Sequence, residues 1–185
     1  MKKLFILLFA IVLLAGTTQA QKGSMAVGVQ AGVALPMGTF GDAVNMGFGG
    51  TGTFQYMVTN NIGLTGSLGY LTFSYDDAFG FDGSYSVIPV LFGARYYFGE
   101  SKTKFYALAN LGIYSESVSY TYTYELFGVP YTQDISASDS DFGFAFGAGI
   151  KLPIGKTMCF DANAKYNIVS SDGWIDIMAG VDFAL

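Results

Sequence analysis

Five charged side chains stand at alternating positions in stretches that are otherwise apolar or small: Arg95, Asp161, Lys165, Asp176 and Asp182. Such groups are either solvated or enclosed. If enclosed, each cation must find a carboxylate, because an isolated charge is costly to remove from water. A second set, Asp76, Asp77 and Asp82, brings three carboxylates into seven residues. Dense carboxylates suit a hard cation or a cationic partner, although the spacing is not that of an EF-hand loop. Nucleophilic chemistry is poorly provided for. The chain has one Cys, Cys159, and no His, so the thiol lacks the usual base and a zinc site lacks its commonest ligands. No phosphate loop or zinc motif stands in the sequence. The expectation is a protein that is no enzyme and holds no metal and no cofactor.

The elements that position these charges are set by an unusual composition. Of 185 residues, 51% are hydrophobic and only 12% charged, against about 25% charged in soluble domains. The formal charge of -5 speaks against nucleic acid as a partner. The first residues read as a secretory signal peptide. Met1-Lys2-Lys3 is basic, Leu4 to Ala15 is uninterrupted apolar chain, and Gly16-Thr17-Thr18-Gln19-Ala20 offers small residues for cleavage. Residues 1–20 are therefore assigned to the signal and 21–185 to one mature domain. Gln21, where a lipoprotein needs Cys, excludes lipidation there.

From residue 25 onward the apolar pattern has a period of two. Ile175, Ile177, Ala179, Val181, Phe183 and Leu185 share one face; Asp176, Met178, Gly180 and Asp182 share the other. A helix would scatter these residues, whereas a strand sorts them onto two faces. The same sorting recurs through 27–35, 48–56, 62–70, 88–98, 105–113, 142–152 and 158–168, which makes eight strands. The fold class predicted is all-β, an eight-stranded antiparallel up-and-down meander closed as a transmembrane β-barrel. The apolar faces are long enough to span, and the other faces are too rich in Gly and too poor in Lys and Glu for a solvated sheet. A soluble barrel or sandwich with the apolar face inward is the alternative.

The connections alternate in length. Short turns stand near Thr59-Asn60, Gly99 to Lys102 and Pro153 to Lys156; the other connections are mostly longer. Outer-membrane barrels keep short turns on the periplasmic side, which puts both termini there. The outer connections hold Asp42, Asp76, Asp77, Asp82, Glu125, Asp134, Asp139 and Asp172 but no Lys or Arg. Inside, small residues on some strands face Arg95, Tyr106, Lys165 and Trp174 on others, so side chains fill the interior. Setting the last turn at Ser170 to Gly173 places Asp161 opposite Asp182, with Arg95 between them as the cation. Beyond the apolar zone, Ser and Thr alternate with Tyr120, Tyr122 and Tyr124. This predicts a two-stranded flap with Leu126 to Ser138 as its tip and the Tyr row as its contact surface.

The segments VGVQAGVALPMG (27–38), VIPVLFGARYYFG (87–99), FGFAFGAGIKLPIG (142–155) and DIMAGVDFAL (176–185) resemble the outer-membrane β-barrel domain family. The resemblance is to the small OmpX- and OmpA-like barrels, in the version common in Bacteroidetes. Where that family usually ends in an aromatic residue, this chain ends in Leu185, with Phe183 two positions back. The resemblance implies the outer membrane of a Gram-negative bacterium. It also implies outer-membrane lipid, lipopolysaccharide and the barrel insertion machinery as partners, together with an extracellular protein or surface ligand. The function expected is a structural or adhesin-like surface barrel. A narrow porin-like diffusion channel and a secreted soluble binding barrel are the alternatives.

Overall fold

The computed structural model describes residues 22–75, 82–99, 102–126 and 129–185; for residues 82, 120–126 and 129–135 only the backbone is described. Eight strands follow in order: β1 (Met25–Met37), β2 (Gly47–Met57), β3 (Ile62–Ser74), β4 (Asp82–Phe98), β5 (Lys104–Leu126), β6 (Val129–Pro153), β7 (Met158–Val169) and β8 (Asp172–Ala184). Each pairs antiparallel with the next, and β8 returns to β1 to close a barrel. Closure leaves no sheet edge in the wall, which is what a β-structure needs in order to stand in lipid. No helix among the described residues is long and apolar enough to cross a membrane, so crossing falls to the strands.

The period of two turns the barrel inside out relative to a soluble protein. Phe48 is 67% exposed and Phe92 65%, while Trp174, Tyr106 and Tyr114 on the inner face are fully buried. Val29, Leu64, Leu68, Val90, Phe144 and Ile177 join the exposed outer belt. An apolar surface of that extent is not tolerated in water by a monomeric protein; facing hydrocarbon, it is the stable arrangement. The belt ends at Ile88, Ile113 and Phe142, beyond which Ser86, Ser115 and Ser140 take the same outward positions.

Turn chemistry sets the register. Thr59 Oγ1 accepts hydrogen bonds from the backbone N–H groups of Asn61 and Ile62, at 3.2 and 2.9 Å, and so tightens the β2–β3 turn. Between β7 and β8, Val169 pairs with Asp172, leaving a two-residue turn of Ser170 and Ser171. Ser170 takes a positive φ of 51°, the left-handed conformation that such tight hairpins need. This corrects the looser turn expected from sequence. Loop length fixes hairpin register, so the pairing slides by one step of alternation. Cys159 faces Asp182, Asp161 faces Gly180, and Lys165 faces Asp176.

The flap is also corrected. The β5–β6 ladder runs on to the pair Leu126 and Val129, so of the stretch expected as a tip, Leu126 and residues 129–138 are strand. Ser136, Ser138 and Ser140 answer Ser119, Ser117 and Ser115 across the ladder, and this continued alternation is why pairing persists. Nor is the projection two-stranded: β4 accompanies β5 as far as the pair Asp82 and Thr121, and β3 accompanies β4 to Ser74 and Ser84.

Candidate functional site

Within the wall, the inner faces of β4, β6, β7 and β8 carry a network of charges. Arg95 Nη1 donates to Asp161 Oδ2 at 2.6 Å and lies 3.9 Å from Asp182 Oδ2. Lys151 Nζ meets the same Asp182 oxygen at 2.5 Å, and Lys165 Nζ lies 3.4 Å from Asp176 Oδ2. Three cations thus stand against three carboxylates. Neutral side chains satisfy further atoms. Tyr106 donates to Asp161 Oδ1 at 2.5 Å, Asn167 donates to Asp176 at 2.9 Å, and Tyr114 donates to Asn167 at 3.0 Å. The Arg95 guanidinium also lies over the Tyr106 ring, 4.7 Å from its centre. Asp161 is fully buried and Arg95 5% exposed, so these groups depend on one another rather than on water.

Asp161 and Asp182 do not face each other, yet Arg95 reaches both from β4. The residue that sequence reasoning passed over is Lys151. It shares the inward parity of Gly147 and Gly149, and that signal places it in the barrel rather than at a turn. Glycine makes room for the large groups. A Cβ at Gly149 would overlap the Tyr106 ring, and one at Gly28 would overlap the Asp182 carboxylate. Gly149 is the β6 partner directly beside Tyr106, so the small positions receive large groups from the adjacent strand rather than from across the interior.

The mouth at the end away from the chain termini, the outer mouth of the orientation expected from the sequence, is closed by different chemistry. The β1–β2 connection folds inward through a short 3-10 turn (Gly38–Phe40). Phe40 meets Phe73 edge-on at 5.3 Å and Tyr85 at 5.2 Å, and lies 6.0 Å from Trp174. Trp174 in turn meets Tyr114 edge-on at 5.6 Å. These rings and Val44 form one buried cluster, and edge-to-face pairs add to the stabilisation from area alone. The sequence offered no periodic signal for Phe40, which sits in a connection.

Beside the rings, Glu116, Asp139, Asp141 and Asp172 lie near one another, and no Lys or Arg occurs in the outer connections. Burial pushes the Glu116 carboxyl above its ordinary range, the Tyr85 hydroxyl works against that shift, and Asp172, Asp141 and Asp139 add to it. Burial, then Asp141, raises Asp172 in the same direction. Among the described residues no three acidic or thiol side chains are placed to hold a metal ion. Asp76 and Asp77 lie outside the described residues. Asp82 begins β4, and Tyr120, Tyr122 and Tyr124 stand on β5 opposite Ile135, Gln133 and Tyr131. The side chains of these four lie outside the described residues.

One more feature belongs to the outer end. β6 pairs with β7 only from Gly143 onward, so residues 129–142 are paired on the β5 side alone among the described residues. A four-stranded sheet of β3 to β6 therefore rises beyond the wall with an unpaired backbone edge.

The chain is matched over residues 5–183 by the family described as outer membrane protein beta-barrel domain, and it belongs to that family. No curated protein matches it. Solved structures similar in fold include Ail, the attachment invasion locus protein of Yersinia pestis, in complex with the heparin analogue sucrose octasulfate (20% identity, 89% of this chain and 100% of that one, TM-score 0.57). Neisserial surface protein A is similar at 20% identity, covering 88% of this chain and 99% of that one, with a TM-score of 0.60. A major outer membrane protein from Thermus thermophilus is similar at 10% identity, covering 88% and 99%, with a TM-score of 0.66.

Proposed function

Taking membership of the outer membrane protein beta-barrel domain family as the premise, we propose that this chain is a non-enzymatic surface-interaction barrel. In this reading residues 1–20 are its signal peptide, residues 21–185 form the barrel in the outer membrane of a Gram-negative bacterium, and the termini face the periplasm. The observation that carries it is the projecting β3–β6 sheet with its unpaired β6 edge over residues 129–142. An open strand edge offers main-chain hydrogen bonds to an extended segment of another protein. The paired charges and rings below leave little room for a pore.

The partner is an extracellular protein rather than a sulfated polysaccharide. The Ail structure holds a heparin analogue, but the outer connections here carry carboxylates and no Lys or Arg, which repels a polyanion. Cells displaying the full chain should bind protein-coated surfaces, and cells displaying a barrel trimmed of residues 119–136 should not. Heat-modifiable gel migration must stay normal in both. Equal retention of the two would overturn the reading, and discrete conductance steps in a planar bilayer would favour a narrow channel instead.

A further inference from the structure

Carboxylates crowd the mouth beside the free β6 edge. β6 pairs with β7 only as far as Gly143 and Val169, and Ser170 and Ser171 then turn the chain into β8. Past that turn, residues 136–142 have no strand on the β7 side among the described residues. The backbone N–H of Ser140 donates to Oδ1 of the adjoining Asp139 at 2.8 Å. A local side chain thus caps the edge at a point where the carbonyl of another strand would serve.

The two faces of this edge differ. Ser136, Ser138 and Ser140 share the outward parity of Phe142, and all three are exposed. Asp139 and Asp141 share the inward parity of Gly143 and Ala145. Across the ladder Asp139 faces Glu116, a like-charge pair of the kind that destabilises a sheet. Asp172 adds a fourth carboxylate from the start of β8. Among the described residues the ion pairs all lie lower in the barrel, so no cation answers these four acids. Glu116 Oε1 is buried without a hydrogen-bond partner among the described residues. So is the hydroxyl of Tyr85, which is 8% exposed and lies near Glu116.

A strand laid along β6 here continues the line of β7. Its main chain takes over the Ser140 N–H and frees Asp139 to meet a side chain. Strand side chains alternate, so every second one hangs into the mouth beside Asp139 and Asp141, and the others lie beside the exposed serines. Two cations separated by one residue therefore match the acids. A second copy of this edge does not match, since it brings Asp134, Asp139 and Asp141 against carboxylates.

We propose that the β6 edge over residues 136–142 binds an extended protein segment of the pattern basic-x-basic, whose backbone pairs with β6 while its two cations enter the mouth beside Asp139, Asp141 and Glu116. This rests on the surface-interaction reading and names the chemistry of the partner.

The full barrel in detergent, with amide exchange followed by NMR and affinity by titration, tests it. The probe is a short capped peptide of Thr and Val carrying Lys-x-Lys. It should slow amide exchange within residues 136–142, and an analogue N-methylated along its pairing side should not. Glu in place of both Lys should abolish binding. Placing the two Lys side by side, which sends one of them outward, should weaken it severalfold. Asp139→Asn combined with Asp141→Asn should weaken the Lys peptide about fivefold or more, the loss of two partly exposed ion pairs. The peptide series on wild type decides the matter if that variant fails to fold. Asp42→Asn, which removes an acid from the β1–β2 connection, should leave the affinity unchanged; equal weakening there would mean attraction to net charge alone and would overturn the proposal. Equal protection of the edge by the Lys and Glu peptides would overturn it too. Stronger protection by a peptide of this chain's own residues 130–142 would make a second copy the occupant and overturn it likewise. Unchanged exchange with every peptide overturns this proposal whatever the cells do, whereas only equal retention of cells with full and trimmed barrels overturns the reading beneath it.

Discussion

The inner half of the barrel is held by balanced charge, whereas its outer mouth is held by aromatic rings beside a surplus of carboxylates. Below, Arg95, Lys151 and Lys165 are each within reach of an aspartate. Above, Phe40, Phe73, Tyr85 and Trp174 close the interior with no ion pair among them. The difference follows from the partner each region has. The lower interior is cut off from water by a lipid-facing wall, so polar groups there must satisfy one another. The outer mouth meets water, so a loop can fold in, bury its one large ring and leave its acids solvated. The lower region therefore responds all-or-none to loss of a partner, and the upper region responds in increments.

The largest effect should come from Arg95→Met. It leaves Asp161 fully buried with Tyr106 as its donor and without its paired cation. Breaking a buried pair costs about 3–5 kcal/mol, to be read as a lower urea midpoint in lipid or detergent at neutral pH. An unchanged midpoint would mean that the two regions do not differ in this way. Lys151→Met should cost less, about 1–3 kcal/mol, because Arg95 already lies 3.9 Å from Asp182 and can move toward it. Phe40→Ala probes the other region. A buried Phe truncated in a core costs about 3–5 kcal/mol, but this one sits on a connection that can lift off without unfolding the wall. About 1–2 kcal/mol is expected, with a red shift of the fluorescence of Trp174, the chain's single tryptophan. A loss as large as that of Arg95→Met would erase the contrast.

The two regions were also unequally legible in the sequence. The strict alternation through Phe142 to Leu152 and through Ile175 to Leu185 specified strands, faces and closure, because one face must meet lipid along the whole length. It also put Arg95, Asp161, Lys165, Asp176 and Asp182 on one inner surface. It did not fix the β7–β8 register, which depends on Ser170 adopting a positive φ, a conformation that serine takes only when tertiary context demands it. Lys151 was visible by parity but sits close to a turn, where parity alone does not decide. Phe40 had no pattern to read at all. Its burial depends on rings from β3, β4 and β8, contacts that no local window contains.

The smallest effect is the most specific to the outer mouth. Glu116 is half-buried, and its carboxyl is raised by burial and by Asp172, Asp141 and Asp139. A carboxyl raised in the folded state binds its proton more tightly there than in the unfolded chain. The folded state then holds more protons between the unfolded and folded pKa values, and stability falls as pH rises through that window. At neutral pH the charged Glu116 is a small liability, and below both values it is none. Glu116→Gln should therefore stabilise the barrel slightly at neutral pH, by about 0.5 kcal/mol or less once solvent screening at a half-exposed position is allowed for. In mild acid the same substitution should have no measurable effect. Asp172→Asn should behave alike and more weakly, since Asp172 is more exposed and is raised chiefly by burial and then by Asp141. Urea midpoints for wild type and the two variants at neutral and mildly acidic pH supply the test. A loss of stability at neutral pH on removing the Glu116 charge would mean that the carboxylate is paired after all. The mouth would then be built on ion pairing, as the lower interior is.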